Sequence, residues 1–274
     1  MPDTPIALRG LATEHNAAVD ALVSAFEAHV KDIVATASAR TLALLQARLS
    51  LTDGEIDATP ANAKVLRSID ALFAEQMTAA GYDTLVDSYV GRFGTQFRYF
   101  DELLAIAAPD KSVAFSTDDK AWFKSLQMGS ADSLKDLVGI AGALAKQRIS
   151  FGVGSMPIAD LAEVLADRFG QTLPAAARLA DTAVTVFYRS ISERGFADIE
   201  RGLPANAARY KYYGPVDKLE RPFCRHLTDA AKTYTRAEID LMDNHQLPNV
   251  FLTAGGFRCR HSWLLMGLSG GSLA

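Results

Sequence analysis

The stretch IALRGLATEHNAAVDALVSAFEAHVKDIVATASARTLALLQARLSL, residues 6–51, decides the architecture. It holds no proline and no loop-like glycine cluster. Apolar residues fall at Val19, Leu22, Phe26, Val30 and Ile33, and again at Leu42, Leu45 and Leu49. Steps of three and four put them on one stripe of an α-helix. The segment therefore reads as one long helix, or as two separated near Thr36-Ala37-Ser38. His15 and His29 lie on it as single histidines and are not read as ligands.

Working outward, helical patterning continues. Thr52-Asp53-Gly54 and Thr59-Pro60 mark a turn. A second helix is expected over 61–80, ended by Gly81, and a third over 83–107, ended by Ala108-Pro109. In the third, Gly91 and Gly94 alternate with Tyr89, Phe93, Phe97, Tyr99 and Phe100. Close helix packing is the first reading of that mixture, and a platform for stacking bases the second. Two further helices are expected over 118–128 and 133–149, with Ser133 as N-cap. The cluster Gly152-Val153-Gly154-Ser155-Met156-Pro157 lacks the Gly-Lys-Ser/Thr of a phosphate loop and reads as a link. Helices follow over 158–169 and 174–194, stopped by Gly170 and Gly195.

After Ala208 the texture changes. Tyr210-Lys211-Tyr212-Tyr213 reads as a strand closed by Gly214-Pro215. Thr235-Arg236-Ala237-Glu238 is a capping-box pattern opening a short helix. Val250-Phe251-Leu252 reads as a strand, and Gly255-Gly256 as a tight turn. The expected fold class is mainly α: a helical N-terminal body followed by a small α+β C-terminal module. The expected division is a helical domain at 1–150, linking helices at 151–205 and a Cys/His-containing α+β module at 206–274.

Composition narrows the function classes. The chain has 274 residues, 49% of them apolar, enough for a sizeable core. A net charge of −4, with the charges scattered, does not indicate duplex DNA as the main ligand. No stretch of 18 apolar residues exists to span a membrane. Met1-Pro2-Asp3-Thr4-Pro5 lacks a signal-peptide pattern, so synthesis in a cytoplasm is expected.

The two cysteines stand in near-identical triplets, Cys224-Arg225-His226 and Cys259-Arg260-His261. Cys224, His226, Cys259 and His261 form a Cys₂His₂ set of the type that holds structural zinc. If each triplet is a strand, its Cys and His share a face, because side chains repeat every two residues. A Cys224–Cys259 disulfide is the second reading; it would close a loop worth about 3–4 kcal/mol. In the third, both cysteines are small buried residues and the neighbouring Arg and His lock two strands together. Arg225 and Arg260 have Asp217, Asp229, Asp240 and Asp243 as candidate partners. An enzyme reading would centre on a Cys224/His261 thiol–imidazole pair, or on a nuclease-like Asp243-Asn244-His245 cluster. The latter reads first as a polar helix end and turn.

The C-terminal half resembles the phage Mu F-type minor head proteins, also called phage head morphogenesis proteins. The resemblance runs over roughly residues 150 to 265. It begins with Leu165-Ala166-Asp167-Arg168-Phe169-Gly170 and the helix core Ala177-Arg178-Leu179-Ala180-Asp181-Thr182. It continues through the Tyr210–Gly214 segment, Asp217 and Arg221-Pro222-Phe223-Cys224. The helix from Tyr234 to Ile239 and the closing Gly256-Phe257-Arg258-Cys259-Arg260-His261 complete it. Many relatives carry a second Cys in each half, whereas this chain carries one per half with His two residues later. The resemblance implies a structural, non-enzymatic protein of head assembly, present in few copies at or near the portal vertex. It implies portal and capsid proteins as partners, self-association as an option, and residence in the host cytoplasm during assembly and then in the virion. A small nuclease or thiol-dependent enzyme, and a helical interaction protein with a zinc-stabilised tail, are the alternatives.

Overall fold

The computed structural model describes residues 4–150, 157–170 and 172–268. Met1-Pro2-Asp3, the link at 152–156 and the Gly/Ser tail after Leu268 lie outside the described residues. The protein is mainly α, with a long helical body and a small C-terminal module carrying a few strands. No helix among the described residues is long and apolar enough to cross a membrane.

The elements in order are α1 (Thr4–Arg48), β1 (Leu51–Thr52), β2 (Glu55–Ile56), α2 (Pro60–Arg67), α3 (Ile69–Ala79) and α4 (Tyr82–Gly91). A 3₁₀ turn at Arg92–Gly94 leads into α5 (Thr95–Ala107), α6 (Thr117–Ser150), α7 (Ile158–Gly170) and α8 (Thr172–Glu200). The C-terminal part holds β3 (Ala208–Tyr213), α9 (Pro222–Ala230), β4 (Thr233–Tyr234), α10 (Arg236–Asp240), α11 (Val250–Thr253) and β5 (Ser262–Leu268).

Helix α1 is unbroken. Its buried residues Leu8, Ala12, His15, Val19, Val23, Phe26, Val30, Val34, Ala37, Thr41 and Leu45 recur every three or four positions. The suspected break at Thr36-Ala37-Ser38 is absent because Ala37 is fully buried and Ser38 returns its hydroxyl to the Val34 carbonyl at 2.7 Å. Other boundaries differ from the sequence expectation. Residues 61–80 split at Ser68 into α2 and α3, whereas 118–128 and 133–149 fuse into α6. Ser133 is then a mid-helix residue whose hydroxyl donates to the Gly129 carbonyl at 2.8 Å, not an N-cap.

Two compact units emerge. One comprises Met1–Leu22, Gly91–Met128 and Asp181–Ala274; the other comprises Val23–Val90 and Gly129–Ala180. Helices α1, α6 and α8 each contribute residues to both units. In the second unit Phe26 packs on Tyr89 with ring centroids 4.5 Å apart, and the Tyr82 hydroxyl donates to the Leu134 carbonyl at 2.8 Å. Gly142 of α6 lies against the Asp70 backbone, where an added Cβ would stand 2.9 Å from Asp70 Cα.

The first unit has an aromatic core. Phe93, Phe97, Phe100, Phe115, Phe123, Phe187, Phe196, Tyr210 and Phe251 form a chain of tilted and edge-on ring pairs. Phe93 and Phe100 are fully buried, so the aromatics interleaved with Gly91 and Gly94 are core residues. The two glycines themselves have open space around them and mark the 3₁₀ break. The close-packing glycine is Gly195. It does not stop α8; it lets the helix lie directly on the Phe100 ring, into which an added Cβ would collide.

The sheet of this unit is antiparallel, in the order β4-β3-β5. β3 is central and turns Ala208, Tyr210 and Tyr212 inward by its two-residue period. Tyr210 pairs with Tyr234 of β4 and Tyr212 with Trp263 of β5, with a register shift between Arg209 and Tyr210. Thr235 and Glu238 form the expected capping box on α10, each side chain meeting the other's backbone N–H. Val250-Phe251-Leu252 is helical, not a strand: Asn249 caps it through Leu252 N–H, and Phe251 fills the aromatic core.

Candidate metal centre

The two Cys-Arg-His triplets meet, but they are not paired strands. Cys224-Arg225-His226 lies on α9, with Pro222 in the first turn and left-handed Ala231 at the end. Cys259-Arg260-His261 is the extended lead into β5. On a helix, residues two apart point about 200° apart. Cys224 is consequently buried, while His226 is exposed. In the extended segment residues two apart share a face, so Cys259 and His261 are both buried.

Three of the four expected ligands therefore converge: Cys224, Cys259 and His261 place one ligand atom each within 4.8 Å of one another. His226 is outside that group. The sulfurs are 3.7 Å apart and unbonded, so both cysteines are free thiols in this structure. His261 Nδ1 is 3.8 Å from Cys259 Sγ. The Tyr212 hydroxyl lies 3.4 Å from each sulfur, and its ring is parallel to the His261 imidazole at a centroid distance of 5.0 Å.

Neighbouring elements hold these atoms in place. Arg189 of α8, 3% exposed, donates to the carbonyls of Cys259 at 2.5 Å, His261 at 2.6 Å and Leu252 at 3.2 Å. Arg221, at the start of α9, donates to the carbonyls of Gly255 at 2.7 Å and of Phe257. Arg260 closes on Asp217 through two contacts of 2.7 Å, tying the β3–α9 loop to the second triplet. Arg225 instead stands 3.8 Å from Glu220, a partner outside the four candidate aspartates.

Two glycines give the cluster its room. A Cβ on Gly255 would run into Cys224 Sγ and stand 3.0 Å from Cys259 Sγ; one on Gly214 would run into the His261 ring. Behind the imidazole sits Glu220, its carboxylate fully buried. Its Oε1 accepts from the Thr228 hydroxyl at 2.7 Å and lies 3.3 Å from His261 Nε2. Neither His261 Nε2 nor Glu220 Oε2 completes a well-aligned hydrogen bond. A carboxylate behind a histidine whose other nitrogen faces thiols is the outer-shell arrangement of metal-binding histidines.

The electrostatics separate the two thiols. Cys259 is drawn well below the usual thiol range by the hydrogen bond from Cys224, with His261 and the Arg189 charge helping against burial. Cys224 is pushed up, first by that same bond and then by burial. A cavity of about 440 Å³ borders the cluster, with Asp181 and Arg258 (3.6 Å apart) and Asp20 on its wall.

The donor set fits zinc. Zinc–sulfur bonds of about 2.3 Å in a tetrahedron put two sulfurs about 3.8 Å apart, and a sulfur and an imidazole nitrogen about 3.6 Å apart. The observed 3.7 and 3.8 Å match both edges. Sequence reasoning found the cysteines and His261. It missed Glu220, Arg189 and Tyr212, which sit on other elements; the alternation of Tyr210 and Tyr212 was the available signal for the last.

The second cluster named from sequence is structural. Asn244 Nδ2 donates to Thr253 Oγ1 at 3.0 Å and to the Ala254 carbonyl at 2.8 Å, and Oδ1 accepts from the Gln246 and Leu247 N–H groups at 2.9 Å. All of its hydrogen-bonding capacity shapes the turn into α11. His245 is exposed, 3.1 Å from Asp243.

No protein-family model, curated protein or solved structure matches the chain.

Proposed function

We propose that the chain is a phage minor head protein of the Mu F type, a structural component that acts at or near the portal vertex during head assembly and travels in the virion. Its terminal unit is a folded docking element clamped by a structural zinc, and its partners are portal and capsid proteins. The observation supporting this reading is the meeting of Cys224 and Cys259. The two motifs that carry the family resemblance stand 35 positions apart, and their sulfurs are 3.7 Å apart. Arg221 and Asp217, which belong to the same pattern, tie the surrounding loops together.

A thiol enzyme centred on Cys224 and His261 has less to draw on. The bond to Cys259 and burial push the Cys224 thiol up, and the residue is 2% exposed, whereas a nucleophilic cysteine needs thiolate character and access.

The test is protein mass spectrometry of particles purified from a host that expresses the gene with its neighbours. The chain is expected in the particles at few copies per head, and disruption of the gene is expected to reduce filled heads. Particles that lack the chain, and that assemble equally well without its gene, would overturn the assignment.

A further inference from the structure

We propose that the fourth ligand of the Cys224–Cys259–His261 centre is the phenol oxygen of Tyr212, bound as phenolate. The proposal rests on the metal reading above and adds the residue that closes the site. His226, the fourth candidate from sequence, points away from Cys224 around α9. Tyr212 reaches the same volume from β3, a different element, through the inward alternation of that strand.

The distances carry the argument. The Tyr212 oxygen is 3.4 Å from Cys224 Sγ and 3.4 Å from Cys259 Sγ. The sulfurs are 3.7 Å apart, and Cys259 Sγ is 3.8 Å from His261 Nδ1. For a zinc ion with bonds of about 2.3 Å to sulfur and about 2.0–2.2 Å to nitrogen or oxygen, tetrahedral edges are about 3.5–3.8 Å. The phenol oxygen thus lies close to where an oxygen ligand shared by both sulfurs belongs. Gly255 covers this side of the cluster: a Cβ there would stand 3.4 Å from the Tyr212 oxygen and against both sulfurs. Lacking a Cβ, Gly255 leaves the room in which the phenol oxygen and both sulfurs meet.

Charge points the same way. Two thiolates and a phenolate around a divalent zinc leave one net negative charge in a buried site. Arg189, 3% exposed, lies immediately behind Cys259 and His261 and donates to both of their carbonyls. A buried guanidinium needs a nearby anion, and a centre with three anionic ligands supplies one.

The experiment compares zinc and cobalt binding by the full chain and by Tyr212→Phe, a change that keeps the ring. Wild type is expected to release about one more proton per zinc bound than the variant. Its zinc affinity is expected to exceed the variant's by more than the roughly 10–100-fold typical of an outer-shell partner. Zinc addition to wild type is also expected to raise the ultraviolet difference band of tyrosinate, a readout that does not depend on the variant folding. Equal proton release, absence of the tyrosinate band, or a cobalt spectrum in wild type that shifts on adding azide would each overturn the assignment while leaving the metal centre standing. Failure of wild type to bind either metal would remove the metal reading itself.

Discussion

Arg189 of α8 and His261 at the start of β5 are joined through the backbone: one guanidinium nitrogen donates to the His261 carbonyl at 2.6 Å and to the Cys259 carbonyl at 2.5 Å. The segment carrying two of the three converging ligands is thereby fixed to the longest helix of the C-terminal half. Arg189→Met leaves three carbonyls without this donor, each worth about 1–3 kcal/mol when buried and unpaired. Chemical denaturation should show a loss of about 3–5 kcal/mol. Arg189→Lys should recover only part of it, because one ammonium cannot span the positions that the planar fork reaches.

The two histidines of the triplets should part company. His261→Ala removes a ligand and should lower zinc affinity by more than about 100-fold, beyond the usual outer-shell effect. His226→Ala, on the exposed side of α9, should leave it unchanged. Competition titration against a chromophoric chelator measures both, and equal losses would restore the four-ligand set expected from sequence.

Stability should depend on pH through His15. Its ring stacks on Tyr99 at 3.8 Å and tilts against Tyr188 at 4.2 Å, with Nε2 2.5 Å from Gln96 Oε1. Burial, with the Arg189 charge adding to it against the Gln96 bond, lowers its pKa from 6.5 to about 4. The folded state therefore holds the neutral ring, and the unfolded chain binds the proton first. The contribution is complete above pH 6.5 and is lost as pH falls toward 4, by up to about 3 kcal/mol. His15→Gln, which cannot titrate, should flatten that part of the stability–pH curve.

Gly195→Ala should destabilise in spite of its helical position. The substitution gains about 1 kcal/mol of helix propensity. The new Cβ would overlap the Phe100 ring, which is fully buried and boxed in by Phe115 and Phe196. Overpacking of this kind costs about 1–3 kcal/mol, so a net loss of up to about 2 kcal/mol is expected from thermal or urea unfolding.

What could be read from sequence tracks how local each determinant is. The apolar stripe of α1, the capping box at Thr235 and the strand at Tyr210–Tyr213 depend on short-range spacing, and all three are present. Helix ends depending on one glycine or serine were less legible. Gly195 sits inside a helix because packing on Phe100 overrides its weak local preference, and Ser133 because its hydroxyl bonds back to the Gly129 carbonyl instead of capping. Val250-Phe251-Leu252 has strand-like composition, but a cap at Asn249 and a slot in the aromatic core make it helical. At the metal centre, residue type alone brought out Cys224, Cys259 and His261. The misreading of His226 came from assigning α9 the two-residue period of a strand. The alternation of β3 marked Tyr212 as inward-facing but not what it meets, and Glu220 and Arg189 reach the cluster only through tertiary folding, which no spacing in the chain encodes.

Zinc analysis of the chain purified under reducing conditions, beside its Cys224→Ser/Cys259→Ser variant, tests the clamp most directly. The account predicts close to one zinc per wild-type chain, none in the variant, and a lower unfolding temperature on removal of the metal. A wild-type protein that is folded and equally stable without any bound metal would contradict it.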